Sequence, residues 1–126
     1  MKCCPADDNL ELPPSVRLAV QRIGGINKIV SALPRDETLR NLANAHEALS
    51  DAVRMKILFA LAEADLCPCI LKRIADVPDS KLSYHLRTLE NASLVKSKRK
   101  GRWVIYSITA KGLKMIGRQD IRRSSL

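Results

Sequence analysis

Cys67-Pro68-Cys69 and Cys3-Cys4 hold all four thiols of the chain, and their spacing confines the chemistry open to them. Proline is tolerated at the first position of a helix, where its missing N–H would go unpaired anyway. With Pro68 there, Cys67 falls at the cap and Cys69 in the first turn. Residues two apart on a regular helix point about 200° apart, but a cap residue is not helical, so the two sulfurs can converge. The helix N-terminus favours thiolate over thiol, with Lys72 and Arg73 on the next turn to help. Thiolates select soft ions: As(III), Sb(III), Cd(II), Pb(II), Zn(II) and Cu(I). A Cys-x-Cys pair does not close a tetrahedral site, and it is not the Cys-x-x-Cys of a zinc knuckle. A further ligand has to come from elsewhere, and Cys3-Cys4 is the only other source of thiolate. Adjacent cysteines do not easily share one ion, so Cys67, Cys69 and one of Cys3 or Cys4 build a three-coordinate site more readily than a four-coordinate one. The competing readings are small inert core residues for Cys67 and Cys69, and an idle tail for Cys3 and Cys4.

A thiol enzyme fits poorly. There is no Cys-x-x-Cys, no thioredoxin-like strand pattern, and neither of the two His has an obvious nucleophile partner. No apolar run approaches the ~20 residues needed to cross a bilayer, and the N-terminus has no signal-peptide apolar region. The expectation is a cytoplasmic protein without a membrane partner, whose thiols stay reduced.

Charge points to a polyanion. Twenty-two Lys and Arg stand against 13 Asp and Glu, a net +9 with pI near 9.8. Five of these cations fall in the seven residues from Lys96 to Arg102, and Arg118, Arg122 and Arg123 form a second group. Charges packed so densely repel one another without an anionic partner.

The elements that must position these groups follow from apolar spacing. Hydrophobic residues make up 46% and aromatics only 3%, which favours helices packing on helices. Residues 1–14 read as a flexible tail carrying Cys3 and Cys4, residues 15–121 as one domain, and residues 122–126 as a fraying end. From Ser15 to Leu33 the pattern predicts an amphipathic helix with one buried stripe, interrupted or bent near Gly24-Gly25. Asp36 caps a second helix carrying Leu39, Leu42, Ala45 and Leu49. Ser50 is the expected cap of a third, over 51–64, with Val53, Ile57, Leu58, Leu61 and Ala62 facing inward. A short helix over 67–75 and a turn at Val77-Pro78 follow. Asp79 or Ser80 then caps a helix running to Asn91, with Leu82, Leu86 and Leu89 inward. After Ala92 the period changes to that of two strands, Leu94–Lys98 and Trp103–Ile108, joined around Gly101. Thr109 caps a last helix.

This order is that of a winged helix-turn-helix: mainly α with one small β-hairpin. In such a fold the helix at 80–91 lies in the major groove of double-stranded DNA, and the hairpin runs along the backbone or reaches the minor groove. The DNA-contacting candidates are Ser80, Lys81, Ser83, Tyr84, His85 and Arg87 on the helix. On the hairpin they are Lys96, Lys98, Arg99, Lys100 and Arg102. His85 borders the buried Leu86 side, so a structural hydrogen bond competes with DNA contact there.

Three stretches, Ala48 to Leu58, Asp65 to Cys69 and Lys81 to Leu89, resemble the ArsR/SmtB family of metal-sensing repressors. So does the hairpin from Leu94-Val95 through Gly101-Arg102-Trp103-Val104-Ile105-Tyr106-Ser107-Ile108-Thr109. The resemblance covers roughly residues 39 to 117, and several separate motifs fall in the family's order. It implies a homodimer, joined through its first and last helices, that binds operator DNA when metal-free and lets go when an ion binds. Arsenic sensors of one type in the family place a third Cys three residues beyond the pair, where this chain has Lys72. The arrangement is closer to the cadmium- and lead-responsive members, in which N-terminal cysteines join the helix pair. The family's zinc site on the last helix uses Asp and His, whereas residues 109–126 hold no His and only Asp120. A redox sensor of the same fold, its thiols forming disulfides, is the alternative.

Overall fold

A computed structural model of the chain describes residues 11–118. The chain divides into two compact units, Met1–Asp36 and Glu37–Leu126. In the first, α1 (Pro14–Ile23) and α2 (Ile26–Ala32) are separate helices. Gly24 and Gly25, at φ 109° and 99°, break the chain in a conformation that side chains rarely adopt. The expected buried stripe is not buried: Val16, Ile23, Ile26, Val30 and Leu33 are exposed, and Val20 and Ile29 are only half-buried. Helical periodicity marks one apolar face, but it does not say whether the same chain covers it.

The second unit contains α3 (Asp36–Leu49), α4 (Ala52–Glu63), α5 (Pro68–Ala75), α6 (Asp79–Asn91), strands β1 (Val95–Lys100) and β2 (Trp103–Ile108), and α7 (Ala110–Met115). Helix α4 is its centre, burying Ile57, Leu58, Leu61 and Ala62. Around it pack Ala45 and Ala48 of α3, Leu71 and Ala75 of α5, and Leu82, Leu86 and Leu89 of α6. Leu94, Val95, Ile108 and Leu113 close the core. Aliphatic side chains fill nearly all of it, as the scarcity of aromatics requires.

Three caps differ from expectation, the first being Asp36, which is already the first helical residue of α3. Asp51, not Ser50, caps α4: its Oδ1 accepts from the Val53 and Arg54 N–H groups at 2.8 and 3.1 Å. Ser50 belongs to the preceding helix end, where its hydroxyl donates to the Glu47 carbonyl at 2.6 Å. A carboxylate at the positive helix end outcompetes a hydroxyl, and the Arg54 N–H leads the causes that hold the Asp51 pKa below its usual value. Helix α6 starts one residue early, with Pro78 at the cap position and Asp79 already helical. Thr109 caps α7 as expected, accepting from the Gly112 N–H at 3.0 Å. Its hydroxyl also donates to the Ser93 carbonyl at 2.7 Å, anchoring α7 on the start of the hairpin. Gly112 is required there, because an added Cβ would stand 2.7 Å from Ile108 Cγ1 and against the Leu94 carbonyl.

Candidate DNA-reading surface and thiol pair

The hairpin is antiparallel with a turn at Gly101-Arg102, and β1 runs two residues further than the sequence pattern marked. Residues directly opposite share a face of the sheet. Lys96 pairs with Ser107, Lys98 with Ile105 and Lys100 with Trp103, so three lysines line one face at a two-residue period, roughly 7 Å apart. The other face, with Val95 opposite Ile108 and Ser97 opposite Tyr106, turns to the core. Tyr106 OH and Ser97 Oγ both donate to the Glu90 carboxylate, at 3.4 and 3.2 Å, tying the hairpin to the end of α6. Burial, then the Glu90 charge, pushes the Tyr106 pKa up. Lys96, Lys98, Arg99, Lys100 and Arg102 are all exposed.

On α6, Ser80, Lys81, Ser83, Tyr84 and Arg87 are exposed along one side while Leu82, Leu86 and Leu89 are buried. His85 departs from this row. It is 6% exposed, and its Nδ1 lies 3.0 Å from Nη1 of Arg54, itself 8% exposed. A guanidinium only donates, so Nδ1 accepts and the ring proton sits on Nε2. Arg54 Nε donates to the Ala48 carbonyl at 2.6 Å, so a single buried side chain links the end of α3, the start of α4 and the middle of α6. Sequence reasoning passed over Arg54; its only mark was a cation among the apolar positions of α4.

The thiol pair sits where expected. Cys67 is the N-cap of α5 and Pro68 its first residue. Cys67 Sγ closes no full capping hydrogen bond. The Ile70 N–H is nonetheless the leading cause that lowers its pKa, partial burial opposes it, and the N–H and thiol of Cys69 add to the lowering. Lys72 is not among the causes: its Nζ pairs with Asp79 at 3.0 Å, bridging α5 to the start of α6. Cys3 and Cys4 lie outside the described residues, as do Asp120, Arg122 and Arg123. Among the described residues no group of three or more His, Cys, Asp or Glu is placed to hold an ion.

Two features connect the thiols to α6 and the hairpin. Cys69 and Lys72 line one open cleft of about 660 Å³ with Ser83, Arg87, Glu90 and Tyr106. Leu66, the residue before Cys67, forms a two-way backbone bridge with Tyr106 of β2, at 3.1 and 2.8 Å.

These features define a winged helix-turn-helix DNA-binding protein. Residues 51–97 match the family described as bacterial regulatory protein, arsR family. The arsenical resistance operon repressor of Bacillus subtilis is 37% identical over 75 residues, 59% of this chain and 71% of that protein. A cadmium resistance transcriptional regulatory protein CadC homolog of Staphylococcus aureus is 34% identical over 77 residues, 60% of this chain and 64% of its own length. Among solved structures, a homodimeric winged helix-turn-helix DNA-binding domain from Mycobacterium bovis superposes with a TM-score of 0.59 at 23% identity, covering 68% of this chain and 82% of that domain. The chain belongs to the ArsR family, whose members are DNA-binding transcription regulators and not enzymes. Among the described residues no helix is long and apolar enough to cross a membrane.

Proposed function

We propose that the protein is a homodimeric repressor that holds operator DNA in the cytoplasm and releases it when a soft ion, As(III), Cd(II), Pb(II) or Zn(II), binds its cysteine thiolates. The observation that supports this reading is the placement of Cys67 at the N-cap of α5 and of Cys69 in its first turn, with Cys67 biased toward thiolate. Cys67 and Cys69 supply two sulfurs, and Cys3 or Cys4 completes the set. A bound ion supplies a cross-link between soft ligands and no chemistry beyond it. The exposed apolar side chains of α1 to α3, Leu39 and Leu42 among them, support pairing with a second copy. That pairing sets two α6 helices at the separation of two half-sites.

The protein's own residues account for the response. Drawing the Cys67 end of α5 toward an ion strains the Leu66–Tyr106 bridge on one side and the Lys72–Asp79 pair on the other. Both lead to parts that touch DNA, so the ion-bound form has a different affinity for two half-sites at fixed spacing. An ion shifts this equilibrium only by its differential affinity for the two forms.

The test is an ultraviolet titration of the reduced full chain with As(III) and with Cd(II), reading sulfur-to-metal absorption. A duplex enriched from a random-sequence pool on the same chain is followed in parallel. The expected result is saturation near one ion per protomer with release of the duplex. Cys67→Ser and Cys69→Ser should keep the duplex and lose the release. Release by mild oxidant with a reversible disulfide, and none by either ion, would transfer the site to redox sensing. The tighter titration identifies the ion class.

A further inference from the structure

The hairpin ends in a side chain that the fold leaves uncovered. Trp103, the only tryptophan of the chain, is 52% exposed where β2 begins. Gly101, at φ 60°, makes the turn tight enough for Arg102 to fold back over the indole, its Cζ 5.2 Å from the ring centroid. That is a cation–π contact, which restricts a long side chain that would otherwise sample many rotamers. Trp103 stands opposite Lys100, and Lys98 and Lys96 continue the same face of the hairpin. No Asp or Glu occurs between Glu90 and Asp120. The ring is therefore an apolar end to a cationic surface, about half exposed with Arg102 over one face.

We propose that Trp103 is a DNA-contacting residue of the wing. Its ring packs against the deoxyribose edge of the duplex and holds Arg102 in place over the adjoining groove. A lysine row alone tracks phosphates of any register, since point charges on flexible stems carry little orientation. An indole needs a surface to lie on, and a guanidinium stacked on it arrives already oriented, so the pair fixes where along the backbone the wing tip stops. Duplex DNA is the partner because the same hairpin is tied through Glu90 to the helix that reads the major groove. The inference rests on the DNA-binding half of the proposed function and is independent of its thiol half.

A single tryptophan makes the test direct. The full chain is titrated with the pool-selected duplex while fluorescein anisotropy of the DNA and tryptophan emission are recorded together. Emission should change, and its acrylamide quenching fall, with the midpoint given by anisotropy. Trp103→Ala should weaken binding about tenfold per wing, the loss that follows when burial of part of an exposed ring is forfeited. Trp103→Phe, which keeps a face for Arg102, should stay within about threefold of the natural protein. No anisotropy change would fail the DNA-binding reading itself. Normal anisotropy with unaltered emission and quenching, or Trp103→Ala binding as tightly as the natural protein, would overturn the inference alone. An emission change with phosphatidylglycerol vesicles but not with duplex would also overturn it, and would assign the ring to a membrane surface.

Discussion

Replacing His85 with Ala tests whether this histidine belongs to the DNA surface or to the frame behind it. The substitution removes the acceptor for Arg54 Nη1 at a place where the guanidinium is 8% and the imidazole 6% exposed. Arg54 keeps the Ala48 carbonyl at 2.6 Å on Nε, so the charge is not stranded. The loss is that of one buried charged hydrogen bond, about 1.5–3 kcal/mol, below the roughly 3–5 kcal/mol of a buried ion left wholly unpaired. For a unit of the size of Glu37–Leu126 each kcal/mol is worth about 4–8 °C in Tm, so the fall should be roughly 10–20 °C. Gln, with a carbonyl oxygen to offer Arg54, should recover part of it. The assay is thermal unfolding by circular dichroism at one protomer concentration for His85→Ala, His85→Gln, Arg54→Met and the double variant. The double variant should lose less than the sum of the singles, since removing both partners leaves nothing unpaired. The salt dependence of duplex binding should be unchanged, because no phosphate contact is touched. A His85→Ala variant with the Tm of the natural protein and weakened DNA binding would refute the reasoning and return His85 to the DNA surface.

Two further outcomes follow from the same geometry. Lys98→Gln should lower the slope of log Kd against log salt by about 0.9 per wing, or roughly 1.8 for a dimer with both wings engaged; an unaltered slope would take the lysine row out of the interface. Cys67, whose pKa the Ile70 N–H holds down, should reach half-maximal alkylation at a lower pH when folded than when unfolded in urea, because only the thiolate reacts. Peptide-resolved mass spectrometry after timed iodoacetamide labelling reads this, and coincident folded and unfolded profiles would remove the thiolate bias.

What was legible in the sequence were features set by local chemistry. Pro68 at a first helical position puts Cys67 at a cap, and the structure has it there. The change of period after Ala92 located the hairpin, and the Leu82, Leu86, Leu89 spacing oriented α6. The errors came where two local signals competed or where burial depends on distant elements. Ser50 and Asp51 are both good caps, and only the geometry of the α3–α4 corner assigns Ser50 to the outgoing helix end. His85 and Tyr84 are neighbours of similar polarity, yet the 3.6-residue period turns one toward Arg54, which is 31 positions away in sequence. Trp103 was passed over because sequence reasoning counted charges along the hairpin, and a tryptophan adds none.

The placement of the thiols also bears on how little a bound ion must do. Releasing DNA a hundredfold requires about 2.7 kcal/mol of coupling between ion and duplex. The exposed Lys72–Asp79 pair is worth about 0–1 kcal/mol, and losing it alone is too small. The Leu66–Tyr106 bridge is different in kind. It is a pair of backbone hydrogen bonds immediately ahead of Cys67, and Tyr106 is also the residue whose hydroxyl reaches Glu90 at the end of α6. Each such bond nets about 0.5–1.5 kcal/mol. Distorting the bridge and the Glu90 contact together reaches the required range without unfolding any helix. Under the proposed function, an ion on Cys67 would thereby change how the hairpin is held on α6.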